Sequence, residues 1–145
     1  MAKATFGMGC FWGSQDVFDR APGVTATEVG YANGQRDDVD EATVYSGAAG
    51  HAEVVVVTFD AEQTDYAALL EVFWAYHDAT GEQRSIVRST LIVHDAQQRR
   101  LAESSVGEHR AAGAKTTVET AGRCWKAPED QQHYLAKQRM ADAAE

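Results

Sequence analysis

Cys10 lies in the run Gly9-Cys10-Phe11-Trp12-Gly13, where a short apolar stretch, Ala4 to Met8, gives way to residues that favour a helix. A thiol in the first turn of a helix faces unpaired backbone amides and the positive end of the helix dipole. Both favour the thiolate, the form that attacks electrophiles, so the position predicts a lowered thiol pKa and nucleophilic character. The opposing expectation is a buried cysteine serving as a small apolar residue, a common fate of free thiols. The other cysteine, Cys124, is far off in sequence, in Gly122-Arg123-Cys124-Trp125. Two such residues are too few for a disulfide framework and read as free thiols in a reducing compartment. The histidines, His51, His77, His94, His109 and His133, have no Cys, His or Asp neighbours at metal-ligand spacing, so no metal is expected.

The elements that must carry Cys10 follow from periodicity. Ala4 to Met8 reads as a strand and Phe11 to Arg20 as a helix stopped by Ala21-Pro22-Gly23. Val24 to Tyr31 alternates like a half-buried strand, and Ala32 to Gly50, rich in Gly, Asp, Asn and Ser, reads as a long loop of the kind that tends to be functional. Glu53 to Phe59 holds the β-branched run Val54 to Val57 and fits a central strand. Asp65 to His77 is a helix with a broad apolar face and Thr64 or Asp65 as its cap. After a loop from Asp78 to Arg88 come a strand at Thr90 to Val93, a polar helix at Ala96 to Ala112, a strand at Thr116 to Thr120 and a closing helix at Glu129 to Ala143. This order predicts a two-layer α+β sandwich, with helices packed on a mixed or antiparallel sheet.

The 145 residues, 44% hydrophobic, suffice for one well-buried core, so a single domain over residues 1–145 is expected. With 22 acidic against 13 basic residues the formal charge is −9, which repels a phosphate backbone, and no basic cluster offsets it. Nucleic acid is therefore not an expected partner. The opening residues show neither the apolar core of a signal peptide nor the length of a membrane span, which points to a cytoplasmic protein with no membrane partner.

Beyond Gly9-Cys10-Phe11-Trp12-Gly13, the chain carries Gly30-Tyr31-Ala32-Asn33-Gly34, Gly47-Ala48-Ala49-Gly50-His51-Ala52-Glu53 and Phe73-Trp74-Ala75-Tyr76-His77-Asp78, in that order. Together these resemble the A-type peptide methionine sulfoxide reductase family. Arg88-Ser89, Val93-His94-Asp95 and Ala127-Pro128-Glu129-Asp130 to Tyr134-Leu135 extend the resemblance over nearly the whole chain.

The resemblance implies a ferredoxin-like core and an oxidoreductase that reduces methionine-S-sulfoxide, free or in peptides. Cys10 would attack the sulfoxide sulfur, release the thioether and retain the oxygen as a sulfenic acid. A sulfoxide oxygen leaves only once protonated, so the site needs an acid, and by the resemblance this is Glu53, whose pKa burial should raise. Tyr31 would donate a second hydrogen bond to that oxygen, and Phe11 and Trp12 would wall the pocket for the substrate methyl. No cofactor is implied beyond an external thiol reductant, a thioredoxin-like protein or a small thiol. His51 beside the proposed acid reads as structural.

Three departures stand out. The segment Ala79 to Val87 is shorter than in the family, and Val87 stands where a pocket tyrosine is usual. A lost donor to developing charge costs roughly 3 kcal/mol of transition-state stabilisation. Glu82 is a candidate for the family's acidic loop residue. The tail, Met140 to Glu145, carries no recycling cysteine, so Cys124 is the one candidate for an internal resolving thiol, the alternative being a cysteine that fills an aromatic's space. The altered loop motivates a second reading, a scaffold redirected to another sulfur-containing or electrophilic small molecule, as in specialised metabolism. A third is a redox sensor that keeps Cys10 as an oxidisable thiol.

Overall fold

The valine run of the third strand sets the architecture, because it is buried on both faces. The computed structural model describes residues 1–34, 50–81 and 84–143. Six strands, β1 (Ala2–Met8), β2 (Val24–Ala32), β3 (Ala52–Phe59), β4 (Ser89–Val93), β5 (Thr117–Thr120) and β6 (Cys124–Lys126), form one sheet in the order β5-β4-β1-β3-β2-β6. All neighbours are antiparallel except β4 and β5, which run parallel, so the sheet is mixed. Side chains alternate across a strand, and Val55 and Val57 point with Phe6, Val29 and Phe59 into the main core, while Val54 joins Ala32, Ala52 and Ile92 in a smaller cluster on the other face.

Helices α1 (Phe11–Asp19), α2 (Tyr66–Ala75) and α3 (Ala96–Arg110) lay their apolar residues on the main core. Phe6 is its centre, with ring centroids 4.8 Å from Phe18, 5.7 Å from Phe73 and 6.0 Å from Tyr66. Asp65 and Asp95 cap α2 and α3, accepting the N–H of Ala68 and of Gln98, each at 2.8 Å. The two-layer α+β reading holds. The expected long loop after β2 lies, from 35 to 49, outside the described residues, as does Glu82.

Two expectations are corrected. Residues Cys124–Lys126 form an edge strand on β2, which so short a segment with no alternation could not announce. The closing helix does not start at Glu129: a 3-10 turn (Glu129–Gln131) ends at Gln132, His133 takes a left-handed φ of 52°, and α4 runs from Tyr134 to Ala143. The cause is Gln132, whose buried side chain replaces a strand partner where β6 stops. Its Oε1 accepts from Val29 N–H at 3.0 Å, and its Nε2 donates to the carbonyls of Val29 and Ala127, both at 2.9 Å. Gln132→Ala leaves the Val29 N–H and the Ala127 carbonyl without this partner, while Val29 O keeps the Ala127 N–H at 3.0 Å, and a loss of about 3 kcal/mol is expected in urea unfolding.

Candidate active site

Glycine places the nucleophile. Gly9 has φ of 91°, a left-handed turn that lets β1 deliver Cys10 as the N-cap of α1. The Cys10 carbonyl accepts from Ser14 N–H at 3.4 Å and Ser14 Oγ at 3.2 Å, starting the helix, and the Cys10 side chain is exposed.

The electrostatics correct the expected lowered pKa. Desolvation raises the Cys10 thiol, and the nearby charge of Glu53 raises it further. The Trp12 and Gly13 amides at the start of α1 bond the sulfur and pull the other way, but the net direction is upward. The helix start therefore moderates the rise without reversing it, and the resting residue is a thiol. Alkylation of Cys10 by iodoacetamide is accordingly expected to keep accelerating past pH 9 rather than level off near neutrality, a profile read directly by mass spectrometry.

Glu53 is 3% exposed, on the core-facing side of β3. Its Oε1 accepts the backbone N–H of Phe11 at 3.1 Å, which holds the carboxyl one residue from Cys10. Tyr31 pairs with Glu53 across β2 and β3 and thus shares its face, and its ring lies 5.7 Å from that of Phe11. Cys10, Glu53, Tyr31 and Phe11 are thereby brought together. Phe11 is 1% exposed and belongs to the core, so its ring supports the site from beneath. Trp12 is half-buried and held from outside α1: its Nε1 donates to Gln131 Oε1 at 2.9 Å, and Tyr134 stacks on it at 3.8 Å. Gln131 was not singled out from the sequence, since a glutamine in a polar run carries no signal of the indole it meets.

Trp125 pairs with Tyr31 and shares its face. Cys124 instead pairs with Ala32, which turns it to the opposite face of the sheet from Glu53 and Tyr31. Burial pushes its thiol up to about 11, with the Glu28 carboxylate adding to the rise and Lys3 opposing it. Val87 ends a 3-10 turn (Ser85–Val87), half-buried against the main core. His77 is tied to Phe73 O at 2.6 Å and Ser89 Oγ at 2.8 Å, and burial lowers its pKa. Among the described residues no three His, Cys, Asp or Glu side chains come together as a metal site.

The family description "peptide methionine sulfoxide reductase" matches residues 2–144. The chain belongs to this family. A peptide methionine sulfoxide reductase MsrA of Methanothermobacter thermautotrophicus is 42% identical over 149 residues, 93% of this chain and 86% of the relative. In fold, the reduced form of Mxr1 from Saccharomyces cerevisiae superimposes with a TM-score of 0.88 at 24% identity, covering 95% of this chain and 86% of the yeast chain. The same yeast protein in complex with Trx2 gives 0.68 at 22% identity, covering 92% of this chain and 84% of that one. As a member of this family the chain is an oxidoreductase acting on methionine sulfoxide, and nothing in the comparisons favours the redirected scaffold.

Proposed function

We propose that the chain is a thiol-dependent reductase of methionine-S-sulfoxide, free or in peptides, in which Cys10 is the nucleophile and Glu53 the proton donor. The observation that carries this reading is a buried carboxyl bonded to the N–H of the residue that follows an exposed cysteine. The Cys10 sulfur bonds the substrate sulfur while a proton passes to the sulfoxide oxygen from Glu53, with Tyr31 donating to the same oxygen. Collapse breaks the substrate S–O bond and forms one on Cys10, yielding the thioether and a sulfenic acid. Glu53 takes up the proton lost by the thiol and passes it to the oxygen, where it ends as the sulfenic O–H, so this half-reaction is proton-neutral. A resting thiol beside a carboxyl suits such a transfer better than a free thiolate. Trp12, fixed by Gln131 and Tyr134, receives the substrate methyl, with Phe11 packed beneath the site.

An external thiol then condenses with the sulfenic acid, releasing water, and a second thiol frees Cys10. The β6 register supports this over Cys124, and the yeast neighbour's complex with Trx2 supports a thioredoxin-like protein as the reductant. Free thiols and external thiol recycling suit the cytoplasm, and among the described residues no helix is long and apolar enough to cross a membrane. The test is turnover of the resolved S and R epimers of a methionine sulfoxide peptide with dithiothreitol as reductant. Consumption of the S epimer alone is expected; failure to reduce either while Cys10 stays alkylatable overturns the reading.

A further inference from the structure

Glu119 lies on β5, at the far end of the sheet from β2 and separated from β3 by β4 and β1, yet its carboxylate gathers four side chains from three segments. Arg88 donates to it as a fork, Nε to Oε2 at 2.9 Å and Nη2 to Oε1 at 3.0 Å. Thr90 Oγ1 and Thr117 Oγ1 donate to Oε2 at 2.9 Å and 2.8 Å, and Asn33 Nδ2 reaches Oε1 at 3.3 Å.

Two of these partners lead to the proposed catalytic strands. Arg88 turns its remaining nitrogen, Nη1, to the carbonyls of Gly50 at 3.2 Å and His51 at 3.3 Å, where the chain enters β3 two residues before Glu53. The same nitrogen holds Ser85 O at 2.7 Å, at the start of the turn that ends in Val87. Asn33 stands two residues after Tyr31, at the end of β2, with φ of 61°. Its Nδ2 also donates to Thr120 O at 3.0 Å, and its Oδ1 accepts Gly122 N–H at 2.9 Å.

Between these two anchored ends lies the His51 ring, fully buried, with neither nitrogen hydrogen-bonded among the described residues. It meets Trp125 edge-on at 5.0 Å and lies so close to Gly34 that a Cβ there would overlap the ring. Packing alone holds it, so its place depends on both chain ends being fixed. Glu119 itself pairs with Ile92, on the sheet face away from Glu53, and has no access to the reacting atoms.

We propose that Glu119 is a positioning residue for this reaction, acting through Arg88 and Asn33 to hold Glu53 and Tyr31 in place around Cys10. The proposal rests on the assignment of Glu53 as acid. Burial alone would raise the Glu119 carboxyl, but the hydrogen bonds from Arg88, Thr117 and Thr90, with the Arg88 charge, outweigh it and bring it down to about 2, so it is ionised throughout the working range.

Glu119→Gln preserves shape and removes the charge that the guanidinium fork requires. With a methyl sulfoxide and dithiothreitol, kcat is expected to fall about 10- to 100-fold while KM changes less than about threefold, the signature of displaced catalytic groups. Alkylation of Cys10 by iodoacetamide is expected not to fall, because β1 and α1 place Cys10 and a displaced Glu53 opposes its thiolate less. Glu119→Asp, which keeps the charge, should recover part of kcat. Asn33→Gly keeps the left-handed backbone, leaves the Arg88 bridge intact and deletes the Asn33 bridge with its bonds to Glu119, Thr120 O and Gly122 N–H, so a several-fold loss in kcat is expected even where Glu119→Gln proves too unstable to assay. Parental kcat in Glu119→Gln, or in Asn33→Gly where that alone can be assayed, overturns the proposal. So does a fall in kcat matched by an equal fall in alkylation, which marks general loosening. Glu53→Gln run alongside separates the two ideas: parental turnover there sinks the acid assignment, whereas an inactive Glu53→Gln beside a parental Glu119→Gln sinks this proposal alone.

Discussion

Cys10→Ser is expected to abolish sulfoxide reduction, a loss on the order of 10⁵-fold or more, because the hydroxyl is a poor nucleophile and no other thiol stands near Glu53 on its face of the sheet. Cys124→Ser is expected to keep turnover with dithiothreitol within about twofold of the parent, as for a substitution away from the site. The pair is informative because the two thiols differ in more than position. The Cys10 sulfur receives the amides of Trp12 and Gly13, which moderate its desolvation, whereas Cys124 lacks such amides and is pushed up to about 11 by burial and Glu28. Oxidation of the parent by one equivalent of substrate without reductant sharpens the comparison. Trapping of the sulfenic acid on Cys10 by dimedone is expected; quantitative formation of a Cys10–Cys124 disulfide under the same conditions would show that β6 releases Cys124 to the other face, and would refute resolution by an external thiol.

What could be read from the chain divides by physical range. Local signals were legible: the β-branched run of β3, the candidate cap Asp65 of α2 and the change from strand to helix at Cys10 all act within a few residues. Cys10 stood out by its place at a helix start, but Glu53 and Tyr31 were reached only through the family's motifs, since an isolated carboxyl on a strand gives no sign of facing a thiol 43 positions earlier. Cross-chain substitutes for backbone pairing stayed hidden. Gln132 stands in for a strand and so breaks the expected closing helix, and Glu119 links three segments through partners 2 to 86 residues away. The helix-start argument for Cys10 erred in sign because it counted the amides and omitted the protein that crowds the sulfur and the charge of Glu53. Desolvation acts through whatever packs alongside, and spacing does not reveal that.

That omitted charge supplies a test with effects of opposite sign. Glu53→Gln preserves the acceptor for Phe11 N–H, so the turn that presents Cys10 stays in place, but an amide cannot deliver the proton that lets the sulfoxide oxygen leave. A fall in kcat of roughly 10²- to 10⁴-fold is expected, the range over which a positioned general acid acts. Removing the carboxylate also removes one of the causes that raise the Cys10 pKa. The thiolate fraction at neutral pH then grows, and iodoacetamide should modify Cys10 a few times faster than in the parent, with the whole pH profile displaced to lower pH. A merely damaged site slows both reactions, and an uninvolved carboxyl changes neither. Only a carboxyl that both repels the thiolate and feeds the departing oxygen makes the nucleophile more reactive and the enzyme nearly inert in a single substitution, so parallel changes in the two rates would remove Glu53 from the mechanism.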